Sequence, residues 1–162
     1  TSVTDSVGNT WTLNTNVAPA TNFLRQAFIK PASTIPLGTT ITVTFAATLG
    51  RKLAQAVKYS GLNGHDVTGS GVDGTTTTPV VATPTLTQAN DLLLACTYVN
   101  RGFLDTWTED ADWTAVPNSP VIETRILRLA WKKSTGTASE NYEPTNSASR
   151  AITSYVDSYK GA

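Results

Sequence analysis

Thr40-Ile41-Thr42-Val43-Thr44-Phe45 decides the fold class. Its apolar side chains fall at every second position, with a threonine between each pair. Successive side chains of an extended chain point to opposite sides, so one set is buried and the other wetted; a helix needs its apolar residues three and four apart. Threonine, branched at Cβ, favours the same extended backbone. The segment reads as a half-buried strand.

The same period recurs along the chain. Leu127, Leu129 and Trp131 alternate with Arg128 and Ala130, and Ile152, Ser154, Val156 and Ser158 interleave with Ala151, Thr153, Tyr155 and Asp157. Leu53 to Tyr59 and Leu92 to Tyr98 are more continuously apolar, the pattern of central strands covered on both faces. Turn signals part these runs. Val7-Gly8-Asn9 predicts a tight hairpin between Ser2–Asp5 and Thr10–Leu13. Ile35-Pro36-Leu37-Gly38, Pro117 to Pro120 and Ser134 to Gly136 supply further breaks, and Gly61 to Gly74, with five glycines, reads as the longest polar loop. Thr87-Gln88-Ala89-Asn90 could make one helical turn but reads as a loop feeding the Leu92 strand. Roughly nine strands with frequent turns predict an all-β, antiparallel β-sandwich of jelly-roll or immunoglobulin-like type, with residues 1–162 as one domain.

Composition narrows the function. Twelve basic residues balance twelve acidic ones, whereas a nucleic-acid binder needs a basic face to neutralise phosphates. No apolar run approaches the roughly 18 residues of a membrane-spanning helix, so neither nucleic acid nor membrane insertion is expected. The single cysteine, Cys96, cannot form an internal disulfide, and its apolar setting reads as a small buried hydrophobe rather than a reactive thiol.

The candidate chemistries are few. His65 is the only histidine, and between Gly64 and Asp66 it reads as a solvated loop residue rather than the base of a triad; no Gly-x-Ser-x-Gly elbow accompanies it. Asp105, Glu109, Asp110 and Asp112 cluster around Trp107 and Trp113. Carboxylates beside aromatic rings suit a sugar site, with tryptophan stacked on the apolar face of a pyranose, and two facing carboxylates suit glycoside hydrolysis. The same spacing also describes an exposed turn whose tryptophans fold inward as core anchors. The glycan-contacting candidates are Trp107, Trp113 and Asp110, with Trp11 and Trp131 as further aromatics and Trp107 as the first choice. Calcium could use Asp105, Glu109 and Asp112, or Asp66 and Asp73, but no calcium-loop motif is present. No catalytic residue, cofactor or resident metal is expected.

Several segments resemble a known family. Ser2-Val3-Thr4-Asp5-Ser6-Val7-Gly8-Asn9-Thr10-Trp11-Thr12-Leu13 resembles the V-x-D-S-x-G-N-x-[WY]-x-L hairpin of β-sandwich modules in bacteriophage virion proteins and large secreted bacterial surface proteins. Thr40–Phe45, Ala56–Gly61, Asn90–Ala95, Asp112–Val116, Leu129–Lys133 and Arg150–Lys160 follow in the family's order. The resemblance implies turn chemistry for Asp5, Gly8 and Asn9, core roles for Trp11 and Tyr59, and no catalytic residue. Such modules carry further strands before this hairpin. The chain is therefore expected to be the distal part of a longer polypeptide, or to receive a strand from another subunit; either leaves an open sheet edge for a neighbour. The function implied is a virion-surface structural protein of a tailed phage: a capsid decoration, head fibre or tail appendage. Its partners would be other virion subunits in a homo-oligomer, with a host-surface glycan as a second partner and the loops Gly61–Thr78 and Arg101–Asp112 turned outward. The competing expectation is a carbohydrate-binding module of a secreted or bacterial cell-surface protein.

Overall fold

A computed structural model describes residues 2–17, 25–29, 35–45, 52–100 and 104–162. The described residues form fourteen strands, and every pairing among them is antiparallel. They are β1 (Ser2–Asp5), β2 (Thr12–Val17), β3 (Arg25–Ile29), β4 (Ile41–Thr44), β5 (Leu62–Thr76), β6 (Val81–Ala82), β7 (Leu92–Asn100), β8 (Trp107–Thr108), β9 (Thr114–Ala115), β10 (Val121–Ile122), β11 (Arg125–Lys133), β12 (Asn141–Tyr142), β13 (Thr145–Asn146) and β14 (Arg150–Gly161). The fold is all-β with sandwich-like packing. The count exceeds nine because six strands are two-residue ladders that a sequence pattern does not register.

Six strands form the main sheet in the order β10-β11-β7-β14-β5, with β9 also on β11. Its two faces follow from the register. Leu93, Ala95, Ala130 and Val156 lie on one face under Val81, Leu86, Trp113 and Tyr142, which come from the short ladder β6–β12 and neighbouring loops. Val99, Ile126 and Ile152 continue this face. Cys96, Leu129 and Tyr155 form a smaller cluster on the other face, with Val116 and Leu127 against it. Cys96 is buried, as its apolar setting implied. Between the sheet's central strands the Thr97 and Ser154 hydroxyls hydrogen-bond to each other at 2.6 Å, which satisfies these two buried groups.

Strand β14 differs from its predicted half-buried pattern. Residues 152–159 are buried on both faces, because β7 and β5 flank the strand and layers cover it above and below. A second correction concerns Gly61 to Gly74. This stretch is no loop; nearly all of it lies within the 15-residue strand β5, paired with β14. The pairing advances from Arg150 to Gly161 while β5 runs from Thr76 back to Leu62, so β5 carries an extra residue at each of three register shifts. Bulges of this kind kink and twist a strand, and glycine tolerates them. Gly69 is required for packing as well: a Cβ there would lie 2.5 Å from the Ala82 carbonyl oxygen and 2.6 Å from Val156 Cγ1.

The first third of the chain is also paired differently from expectation. The predicted hairpin between Ser2–Asp5 and Thr10–Leu13 does not form; β1 pairs with β4 and β2 with β3. The turn chemistry itself is present. The Asp5 carboxylate accepts hydrogen bonds from the backbone N–H of Val7 (3.1 Å) and Asn9 (2.9 Å), the Asn9 amide (2.8 Å) and the Trp11 indole N–H (2.9 Å), and Gly8 has φ 75°. Desolvation pushes the Asp5 pKa up, but these hydrogen bonds outweigh it and hold it at about 2. Trp11 thus helps clamp a turn. Leu53 to Tyr59 lies in no ladder: residues 53, 55 and 59 are half-buried but the segment is not a strand. Gln55 fastens it through its amide N–H to the Pro117 carbonyl (3.0 Å).

Candidate functional site

The segment from Asp105 to Trp113 reaches the sheet through β8, which pairs with β13. Its residues 107 and 113 turn inward. Trp107 packs on Val99, Ile126 and Ile152, and its buried indole N–H meets no hydrogen-bond partner among the described residues. Trp113 is 5% exposed, donates its indole N–H to the Asn141 carbonyl (2.9 Å) and tilts against the Tyr142 ring, centroids 4.9 Å apart. A ring so enclosed presents no open face on which a pyranose could lie.

Each carboxylate of the cluster has a different partner. Asp105 receives two hydrogen bonds from Arg150, from Nε at 2.6 Å and Nη2 at 3.0 Å, and this contact raises the pKa of the guanidinium. Glu109 accepts the Tyr142 hydroxyl at 2.6 Å; burial, then this carboxylate, pushes the phenol far above its ordinary range. Asp110 accepts the backbone N–H of Glu143 (2.8 Å) and of Asp112 (3.3 Å), which makes it a turn-former. Asp112 is exposed and lies 3.5 Å from Lys132 Nζ, which also binds Glu140 at 3.0 Å. The arrangement fastens the covering layer to the sheet. The described residues contain no group of three or more His, Cys, Asp or Glu side chains placed to hold a metal ion, and Asp105, Glu109 and Asp112 are not gathered into one. Asp66 and Asp73 are likewise engaged elsewhere, Asp73 accepting the Thr153 hydroxyl at 2.8 Å.

His65 is on β5 and not in a solvated loop. Its Nε2 is 3.5 Å from Asp157 Oδ1 and 3.3 Å from the Thr68 hydroxyl, and its ring meets Tyr159 edge-on at 5.6 Å. An acid, an imidazole and a hydroxyl in contact invite comparison with a catalytic triad. A relay, however, needs the acid on one ring nitrogen and the nucleophile on the other, so that the proton crosses the ring. Here both partners sit on Nε2, and the geometry is that of a strand-to-strand tie.

The described surface also holds an open cleft of about 250 Å³ at the end of the smaller-cluster face, lined by Tyr59, Asn90, Leu92, Trp131, Lys133 and Gly161 among others. Trp131 is half-buried, and burial raises the Tyr59 hydroxyl's pKa. No family model, curated protein or solved structure matches the chain. In the sequence Trp131 reads only as a further aromatic and Tyr59 as core. Neither period nor spacing could bring residue 59 to residue 131; the signal available was a tyrosine beside Ser60-Gly61 and a tryptophan followed by two lysines.

Proposed function

We propose that this chain is a non-enzymatic structural subunit of a virion surface, a decoration, fibre or tail-appendage module of a tailed phage, which works by strand contacts with copies of itself. The observation that carries this reading is the outer side of β5. The strand ends the main sheet, and its half from Gly71 to Thr76 pairs with β14 in unbroken register. Among the described residues no strand pairs with it on that side. Six regular residues with one charge, Asp73, and no lysine or proline lack the usual guards of a sheet edge, whereas the bulged half from Leu62 to Ser70 is unsuited to continuous pairing. Edge addition supplies main-chain hydrogen bonds without any pocket. The resemblance of residues 2–13 and the later landmarks to phage virion modules supports the reading, as does the all-β, antiparallel structure with its sandwich-like packing. Light scattering across a concentration series, with electron microscopy, tests it. Ordered oligomers that Thr75→Lys disperses are expected; a chain that stays monomeric at every concentration and joins no particle contradicts the reading.

The cleft favours a second reading, a carbohydrate-binding module. Half-buried Trp131 and Tyr59 offer apolar surface, and Asn90 and Lys133 offer hydrogen bonds to ring hydroxyls. Glycan-array binding lost in Trp131→Ala and kept in Trp107→Phe would support it. Silence across a broad array would remove it.

A further inference from the structure

Two aspartates are buried against each other where the start of β5 meets the end of β14. The Asp66 side chain is 1% exposed. It accepts the Thr87 backbone N–H on Oδ2 at 2.9 Å and the Thr87 hydroxyl on Oδ1, and Lys160 Nζ stands 3.5 Å from Oδ1. Asp91 is fully buried. Its backbone is locked to Ser134: Asp91 N–H donates to the Ser134 hydroxyl and Ser134 N–H to the Asp91 carbonyl, both at 2.9 Å. Thr87, held on Asp66, opens the 87–91 loop that carries Asp91, and the neighbouring Asp66 carboxylate adds to burial in raising the Asp91 pKa. Gly161 N–H and the Gln88 amide are also near, but the amide is turned to the Gly161 carbonyl at 3.1 Å, and no donor among the described residues is aligned on either Asp91 oxygen.

Two buried carboxylates side by side repel; a proton between them converts the repulsion into a charge-assisted O–H···O bond. The surrounding donors decide which partner keeps it. Asp66 is already met by two Thr87 donors and an ammonium, so it is the anion. Asp91 has no aligned donor, so it is the acid. We propose that Asp91 is protonated in the folded chain and donates its proton to the Asp66 carboxylate, forming a clasp between the 87–91 loop, β5 and β14 that base releases. This does not depend on how the sheet edge is used.

The charged and titratable groups at the clasp are Asp66 from β5, Asp91 from the loop and Lys160 from β14; neighbouring His65 is turned to Asp157 instead. Burial, then Asp66, raises the Asp91 pKa above 3.8. Desolvation opposes ionisation of Asp66, but Thr87, Asp91 and Lys160 outweigh it and lower its pKa. The signs follow by linkage. Between 3.8 and its folded midpoint Asp91 holds a proton that the unfolded chain has released. Its stabilisation is therefore complete below 3.8 and lost as pH rises through the folded midpoint. Asp66 behaves oppositely, its contribution being present above 3.8 and lost as pH falls through its lowered midpoint. The clasp is tightest between the two midpoints. Asn90 and Gly161, adjacent to Asp91 and Lys160, line the cleft, so its release loosens one wall of that cleft.

Carboxyl-carbon NMR titration and thermal unfolding of the whole chain from acid to mild base, with Asp91→Asn beside it, test the clasp. One aspartate resonance, absent in Asp91→Asn, is expected to titrate above 3.8. The wild-type Tm should fall as pH rises through that midpoint, and the fall should vanish in Asp91→Asn, whose amide donates at every pH. An Asp91 midpoint at or below the ordinary value overturns the proposal. So does a high-pH Tm restored by calcium chloride and lowered by EDTA, which would put a cation where the proton is placed. Should Asp91→Asn fail to fold, the wild-type titration with the resonance assigned through its backbone still decides.

Discussion

Residues 61–162 lay four long strands, β5, β7, β11 and β14, side by side and cover both faces of the resulting sheet. The described residues between 2 and 60 instead make two separate two-stranded ladders, β1–β4 and β2–β3, and a segment over Leu53–Tyr59 in no ladder. Every residue described as fully buried lies at Pro79 or beyond, and the described side chains between residues 2 and 60 are half-buried at most. A two-stranded ladder alone is marginal in water, because it removes too little apolar surface to offset the entropy of ordering its backbone. Among the described residues the core lies in the second region, and the first is tied by its Asp5 turn and by contacts such as Gln55 with Pro117. Abundant threonine in both regions therefore does not measure how firmly either is fixed.

Mutation can break that contrast. Leu93→Ala, in the centre of the larger core, should cost about 2–5 kcal/mol in urea unfolding, while Val43→Ala on half-buried β4 should cost no more than ~1 kcal/mol. Equal losses would mean that the ladders share the core's burden. Gly69→Ala should cost about 1–3 kcal/mol, since its Cβ runs into backbone at Ala82 and Val156; a neutral result would mean that β6 can move off the sheet. Native-state amide exchange sharpens the comparison without mutation. Amides of β7 and β14 should exchange only by global unfolding, and those of β1 and β4 by cheaper local opening. The smallest effect is at Asp5, whose NMR titration midpoint is expected at about 2. Its folded value is depressed, so its contribution is present above the ordinary 3.8 and lost as pH falls through about 2. Because this turn is local, the loss should appear in the Trp11 indole N–H signal and barely in the global midpoint.

The parts of the fold legible in the sequence are those where local chemistry and final burial agree. β7 and β11 are rich in leucine and β-branched or aromatic residues, and β4 alternates cleanly. β5 was not legible: Asn63, Gly64, Asp66, Gly69, Gly71 and Gly74 are poor strand formers, and the strand exists because β14 pairs with it and its glycines absorb the bulges. Leu53–Tyr59 fails in the opposite sense, with a favourable pattern and no partner. Period sets which side chains share a face and says nothing about which strand lies alongside, so the β1–β4 pairing across 35 intervening residues and more was beyond it. Of the candidate site, the inward turn of Trp113 was one of two readings of the spacing. The Asp105–Arg150 and Glu109–Tyr142 contacts needed the fold, as did the meeting of Tyr59 with Trp131 and of Asp66 with Asp91.

The claim that β5 is an assembly edge is tested most directly by hydrogen exchange at residues 71–76, compared between dilute chain and assembled material. Slowed exchange there on assembly, with no change at β10 on the opposite end of the sheet, is the predicted result. Assembled material in which residues 71–76 exchange as fast as in the dilute chain would contradict it.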